Sequence, residues 1–388
     1  MKRMVTHQML LLVLGFCLLS FFTVNAEASG QKTLAESAQN PSSEEKGLPT
    51  LTLEEGLERV LARSSRLKEV EHQFERIEVL RDRSSETLRY TRPYGRGFNE
   101  EDQRHRNELL RYLQYESNRK TQRSHEDYLE ALLEWELKTA FADLTLLKDQ
   151  QDLMQLSLKH EEHMLVLAEH KLENGLIHRG KLERMRRSKQ QMIEEKNRLD
   201  QEIDVHYRFL NQMMGFPADY RYLVEWESEE EENWNFPDPT LQARRVRSRD
   251  PYLEQMDQDI EMGKWSLSLY TYNVGEEPYK AKEIDVQILR NKRSQVLENL
   301  ERLLAERIAS AEDLVIQSRQ LQLKKEGLQD RLLELELLLE AGLVRPAELT
   351  QARLDIKKAA FELHQNQYQI HYLSELIKHP YYVPDYVN

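Results

Sequence analysis

Between Glu100 and Glu173 the chain contains neither glycine nor proline. Leu133, Leu137, Ala140, Leu144, Leu147, Met154, Leu158, Leu165, Ala168 and Leu172 recur there in alternating steps of three and four, interrupted only at Gln151 and Glu161. Such a stripe is the heptad seam of a coiled coil sustained for roughly six heptads. At 1.5 Å per residue the helix is roughly 110 Å long, several times the width of a small globular domain. No compact core can hold it, so other long helices of the chain must lie along it.

The rest of the chain supplies such helices. Thr52, with Glu55 three residues on, is a capping-box start followed by Leu53, Leu57, Val60 and Leu61; after a soft break at Ser64 and Ser65 the pattern resumes to about Tyr90. Pro93, Gly95 and Gly97 then break it. Past Gly175 a third helix runs from about Lys181 to Met214 and ends at Gly215 and Pro217. Residues 216–239 read as an acidic linker, with Glu227 to Glu232 flanked by Trp226 and Trp234. The plan then repeats: a helix from about Thr240 to Tyr270, a break at Gly275 and Pro278, a second long heptad helix, a turn at Gly342, and a last helix from about Pro346 to Lys378. In each half the first and third helices are about half as long as the second, and the turns are short. Both therefore run antiparallel to the second and cover it end to end. The predicted fold is all-α, with a first three-helix repeat at 51–215, a second at 240–379 and a C-terminal tail at 380–388.

Charged residues are 32% of the 388, glycine and proline number 13 and 11, and the net charge is -13. That balance suits long solvated helices and argues against a nucleic-acid partner, which needs a basic face. Lys2 and Arg3 precede an apolar run from Met9 to Val24 and small residues at Ala26 and Ala28, so residues 1–28 read as a secretory signal and 29–50 as a disordered leader. Cys17 is the one cysteine and lies inside that run, which leaves an exported chain without disulfides.

Five stretches carry a resemblance: "LEEGLERVLARSSRLKEVEHQFERIEV" (Leu53 to Val79), "ENGLIHRGKLERMRR" (Glu173 to Arg187), "LNQMMGFP" (Leu210 to Pro217), "DPYLEQMDQDI" (Asp250 to Ile260) and "EAGLVRPAELTQARLDIKKAAFEL" (Glu340 to Leu363). Together they resemble the TolC family of outer membrane efflux proteins. The resemblance implies a homotrimer whose helices form a tunnel in the cell envelope, with helix tips that dock on a periplasmic-type adaptor of an ABC or RND exporter. It also implies two membrane-spanning strands between the first and second helix of each half, at Arg89 to Asn99 and Asn273 to Tyr279. A spanning hairpin needs about 20 residues, and these gaps hold about ten. The expected protomer is therefore TolC-like without the β-barrel, with peripheral membrane association at most. At the tips, members usually place a small polar and an acidic residue after the glycine; here His178, Arg179 and Lys181 follow Gly175, and Arg345 and Pro346 follow Gly342.

The candidate partner-binding residues are those tips: Gly175, Leu176, Ile177, His178 and Arg179 in the first, Gly342, Leu343, Val344 and Arg345 in the second. Leu176, Ile177, Leu343 and Val344 are expected as exposed apolar knobs, with a basic rim that favours an acidic partner surface. His160, His163, His170 and His178 sit near the first tip, but Leu167 stands where a carboxylate ligand would help, so they read as solvated histidines and not a metal site. No phosphate loop, nucleophile elbow or paired-carboxylate arrangement stands out, and neither enzyme activity nor a cofactor is expected. Two readings remain: an export-system conduit, and an envelope coiled-coil protein that spaces or binds without transporting. Two tips and four half-length helices favour the first, because a simple spacer needs neither.

Overall fold

The computed structural model describes residues 48–90, 100–224, 234–270 and 277–387. The expected signal, most of the expected leader, Trp226 with the acidic run, and residues 91–99 and 271–276 of the two short gaps lie outside the described residues. Among the described residues eight α-helices follow in order: α1 Leu53–Arg63, α2 Ser65–Tyr90, α3 Glu100–Glu173, α4 Arg179–Met214, α5 Pro239–Val246, α6 Pro251–Ser268, α7 Tyr279–Glu340 and α8 Pro346–Lys378. Among the described residues the strands are limited to β1 (Thr50–Leu51) and β2 (Leu223–Val224), which pair in parallel.

Local chemistry sets the helix limits. The Thr52 hydroxyl accepts from the Glu55 amide at 3.3 Å and starts α1, and the Ser64 hydroxyl accepts from the Leu67 amide at 3.2 Å and restarts the chain as α2. The second repeat differs from the continuous helix expected over 240–270. Pro251 removes a donor and disfavours helical geometry in the residue before it, so the chain breaks after Val246 and begins again at α6. Asp250 caps that new start, accepting from the amides of Tyr252 and Leu253 at 2.9 and 3.2 Å.

The 74-residue α3 is the spine of the molecule. Its first half lies along α2, with Arg66 paired to Glu136 and Arg81 to Glu116; its second half lies along α4, with Gln151 on Asp200, Lys189 on Glu162 and Arg186 on Glu169. In the second repeat α7 is covered by α5 and α6 and then by α8, with Arg293 on Asp257, Lys324 on Glu362 and Arg353 on Glu336. In every pair one number rises as the other falls, so the neighbours are antiparallel, as the helix lengths required.

The two repeats are joined through α3. Its far flank meets α6 and α8: Ser117 on Gln258 at 2.9 Å, Asp149 on His364 at 2.7 Å, and Trp135 against Tyr372. Packed on two sides, α3 buries more than its heptad stripe at mid-length, adding Leu129, Leu132 and Phe141 to Leu133, Leu137, Ala140 and Leu144. The first core gathers Leu133, Leu137, Ala140, Phe141 and Leu144 with Leu199, Ile203, Tyr207, Leu210 and Met214 of α4, while Leu129 and Leu132 pack with Val70 of α2; the second core gathers Leu253, Leu300, Leu304, Ile308, Ala311 and Ile377. A close approach tightens the second repeat, because a Cβ on Gly263 of α6 would come within 2.8 Å of Val286 Cγ2 on α7.

Residues 380–387, expected as a tail, fold back onto the joint between the repeats. Tyr381 and Tyr386 are buried, the Tyr128 hydroxyl donates to the Tyr381 carbonyl at 3.3 Å, and Tyr382 stacks on Trp135. Arg307, buried on α7, donates to the carbonyls of Leu376 and Val383 at 3.1 and 3.0 Å, and its burial holds its pKa below the usual guanidinium value.

Candidate docking tips and the fold they belong to

Each long helix ends in a glycine in the left-handed region, Gly175 with φ 72 and Gly342 with φ 71. Only a residue without Cβ adopts this conformation at little cost. The Gly175 amide donates to the Leu172 carbonyl and the Leu176 amide to that of Lys171, at 2.9 and 2.8 Å; Gly342 and Leu343 repeat the pair on Leu339 and Leu338, at 2.9 and 2.8 Å. Both are Schellman closures, which satisfy carbonyls left orphaned at a helix end. Two residues later an extended residue begins the next helix, His178 (φ -91, ψ 153) before α4 and Arg345 (φ -89, ψ 146) before α8, neither with a side-chain cap. The two turns share one backbone, as their sequences suggested.

The side chains divide in a way the sequence did not reveal. Leu176 and Leu343 stand out to solvent at 73% and 74% exposure, whereas Ile177 and Val344 are half-buried. Ile177 packs on Leu165, Ala168 and Leu182, closing the last layer between α3 and α4. Each tip therefore offers one apolar knob, not two. His178, Arg179 and Arg345 are exposed beside the knobs and form the expected basic rim. Because α3 is antiparallel to α8, and α8 to α7, both tips lie at the same end of the molecule.

Of the histidines near the first tip, His163, His170 and His178 are exposed, His160 is half-buried, and His170 lies 3.3 Å from Glu173. Among the described residues no group of three His, Cys, Asp or Glu is placed to hold a metal ion, and no helix is long and apolar enough to cross a membrane.

No family model and no curated protein sequence matches the chain. Solved structures do. CusC, described in terms of folding and transmembrane channel formation, superposes with a TM-score of 0.61 at 13% identity over 85% of this chain and 91% of its own. The outer membrane protein VceC from Vibrio cholerae gives 0.59 at 12% identity over 85% and 95%, and the CmeC outer membrane channel of Campylobacter jejuni gives 0.60 at 9% over 93% and 94%. The chain has the TolC-like fold. The match runs through both repeats, so the TolC-like helical frame is present even though the intervals 91–99 and 269–278 are each about half of what a spanning hairpin requires.

Proposed function

We propose that this protein is a TolC-like extracytoplasmic component of an efflux or export system, which closes with further copies into a helical conduit and docks on an adaptor through its tips. The observation that carries the proposal is the pair of superposable turns at one end of two roughly equal long helices, each presenting a solvent-exposed leucine inside a basic rim. Such knobs contribute nothing to the fold of their own chain, and repeated around a ring they make an apolar crown that a partner would cover. The fold shared with outer membrane channels supports the envelope as the place of action, and the same likeness supports a conduit over an enzyme. The short intervals leave the bilayer crossing to something other than strands of this chain, so its own contact with the membrane is peripheral.

The test replaces Leu176 and Leu343 by Asp in the full chain. Helicity and assembly are expected to persist, because both residues lie outside the seams, while capture of a periplasmic-type adaptor and export through it are lost. Export at the wild-type level would place docking elsewhere.

A further inference from the structure

Between α3, α7 and α8 the surface opens into a groove of about 720 Å³, a volume in the range of small-molecule sites. Each of the three helices brings one lysine to it: Lys159 from α3, Lys325 from α7 and Lys357 from α8. At 1.5 Å per residue each lies roughly 24 Å along the chain from its tip glycine, Gly175 or Gly342, so the three stand at one level. Among the described residues none of the three makes an ion pair or a side-chain hydrogen bond. The spacing explains why. No acid stands three or four residues from Lys325 or Lys357, and Glu162, so placed from Lys159, is taken by Lys189 of α4 at 2.9 Å. In a chain with 68 acidic against 55 basic residues, three neighbouring lysines without a carboxylate are a departure that the fold itself does not use.

The rest of the lining is graded along the groove. Leu156 of α3 and Phe361 of α8 come next, roughly 28 Å from the tip glycines, and Leu156 is 41% exposed there. Asp149 and His364 stand at the far end, roughly 10 to 15 Å beyond the lysines, joined to each other at 2.7 Å. Asp152 lies at that same end. The groove thus has a cationic end, an apolar middle and an acidic end, and its carboxylates are held apart from its ammonium groups.

We infer that this groove binds a dissolved organic anion, with its acidic group (carboxylate, sulfonate or phosphate) among Lys159, Lys325 and Lys357 and its apolar body on Leu156 and Phe361. Three ammonium groups at one level repel one another, and an anion among them removes that repulsion while accepting charge-assisted hydrogen bonds. The apolar body covers Leu156, which otherwise faces water. A bare inorganic anion gains only the first of these terms. The acidic end limits the choice further, because a ligand carrying a second acidic group roughly 10 Å from the first would bring it against Asp152, so one acid is favoured over two. The inference goes beyond the conduit reading and does not depend on it, since every residue involved belongs to one chain. With α3 on one side and α7 and α8 on the other, the bound ligand braces the joint between the repeats.

Fluorescence titration of the full chain with anilinonaphthalene sulfonate, an aromatic body bearing one sulfonate, tests this. Saturable binding that weakens as salt is raised is expected, with displacement by decanoate and far less by inorganic sulfate. Lys325→Gln with Lys357→Gln should weaken the dye about tenfold and flatten the salt dependence without lowering the thermal melt, whereas Lys325→Arg with Lys357→Arg should keep the dye bound. Leu156→Ser should weaken binding but leave the salt dependence as it is. Leu176→Asp with Leu343→Asp should leave the dye bound, which separates the groove from the apolar knobs at the tips. Absence of saturable binding, equal binding by the glutamine variant and the wild type, or displacement by sulfate as effective as by decanoate would overturn the inference, whether or not the chains assemble. A chain that binds the dye as described yet never assembles would overturn the conduit reading alone.

Discussion

Asp250 gives the sharpest energetic test of how the second repeat is built. Its side chain is fully buried; one oxygen accepts from two amides at the start of α6 and the other accepts from the Tyr386 hydroxyl. Asp250→Ala removes a helix cap worth about 1 kcal/mol and leaves the buried tyrosine hydroxyl unpaired, a further penalty of about 1–3 kcal/mol. The expected loss is about 3 kcal/mol. Asp250→Asn behaves differently, because its one carbonyl oxygen caps equally well while its NH2 faces the Tyr386 hydroxyl and donates to that oxygen, so the bond is reversed and not lost. Burial already raises the Asp250 pKa, which means the site penalises the charge. The neutral amide should therefore stay within about 1 kcal/mol of the wild type. Linkage adds a sign: a folded-state pKa above the ordinary value makes the native chain bind more protons, so this group's contribution declines as pH rises from the ordinary carboxylate range to the raised value. Asp250→Asn abolishes that decline. Urea denaturation can follow far-UV circular dichroism together with tryptophan emission, since Trp135 stacks on Tyr382 of the same C-terminal segment. Equal damage from Asn and Ala, or an Ala variant within about 0.5 kcal/mol of wild type, would refute the reasoning.

Other outcomes follow from the same geometry. Gly263→Ala should destabilise in spite of alanine's better helix propensity, because the new Cβ meets the stiff Val286, and Gly263→Ala with Val286→Ala should recover stability in thermal melts. His125 and His379 are held below the usual imidazole pKa by burial, so the unfolded chain binds more protons between the lowered values and about 6.5; stability should fall as pH drops through that window, and His379→Gln should reduce the slope. Leu137→Ala, at a fully buried position between α1, α3 and α4, should cost about 2–5 kcal/mol in chemical denaturation. The protein should be extracted without detergent and give a strongly helical circular dichroism spectrum; a heat-modifiable band on gels would contradict the length of the two intervals.

The long helices were legible because their determinants are periodic and local. The stripe from Leu133 to Leu172 and the glycines at 175 and 342 define two spines and two turns without reference to anything distant in the chain. What escaped depends on partners far away. The pairing of Thr50 with Leu223 has no local signature in segments so short. Asp250 and Pro251 were visible as letters, but the apolar spacing of Ala243, Val246, Leu253 and Ile260 continues across them and masks the break. The closing segment "HPYYVPDYV" lacks periodicity and reads as a tail, although three tyrosines and two prolines in so short a run are a signal for docking on a groove. At the tips the sequence supplied the turn but not the exposure: which of two adjacent apolar residues faces the helix pair depends on the angle at which the chain leaves Gly175 and Gly342.

The central claim is that copies of this chain close into a ring, and the mass of the purified protein in detergent-free buffer tests it most directly. Analytical ultracentrifugation across a broad concentration range should give a species of three chains, as closure into a ring requires. A single-chain mass at every accessible concentration and low salt would contradict the conduit and leave a monomeric envelope coiled coil in its place.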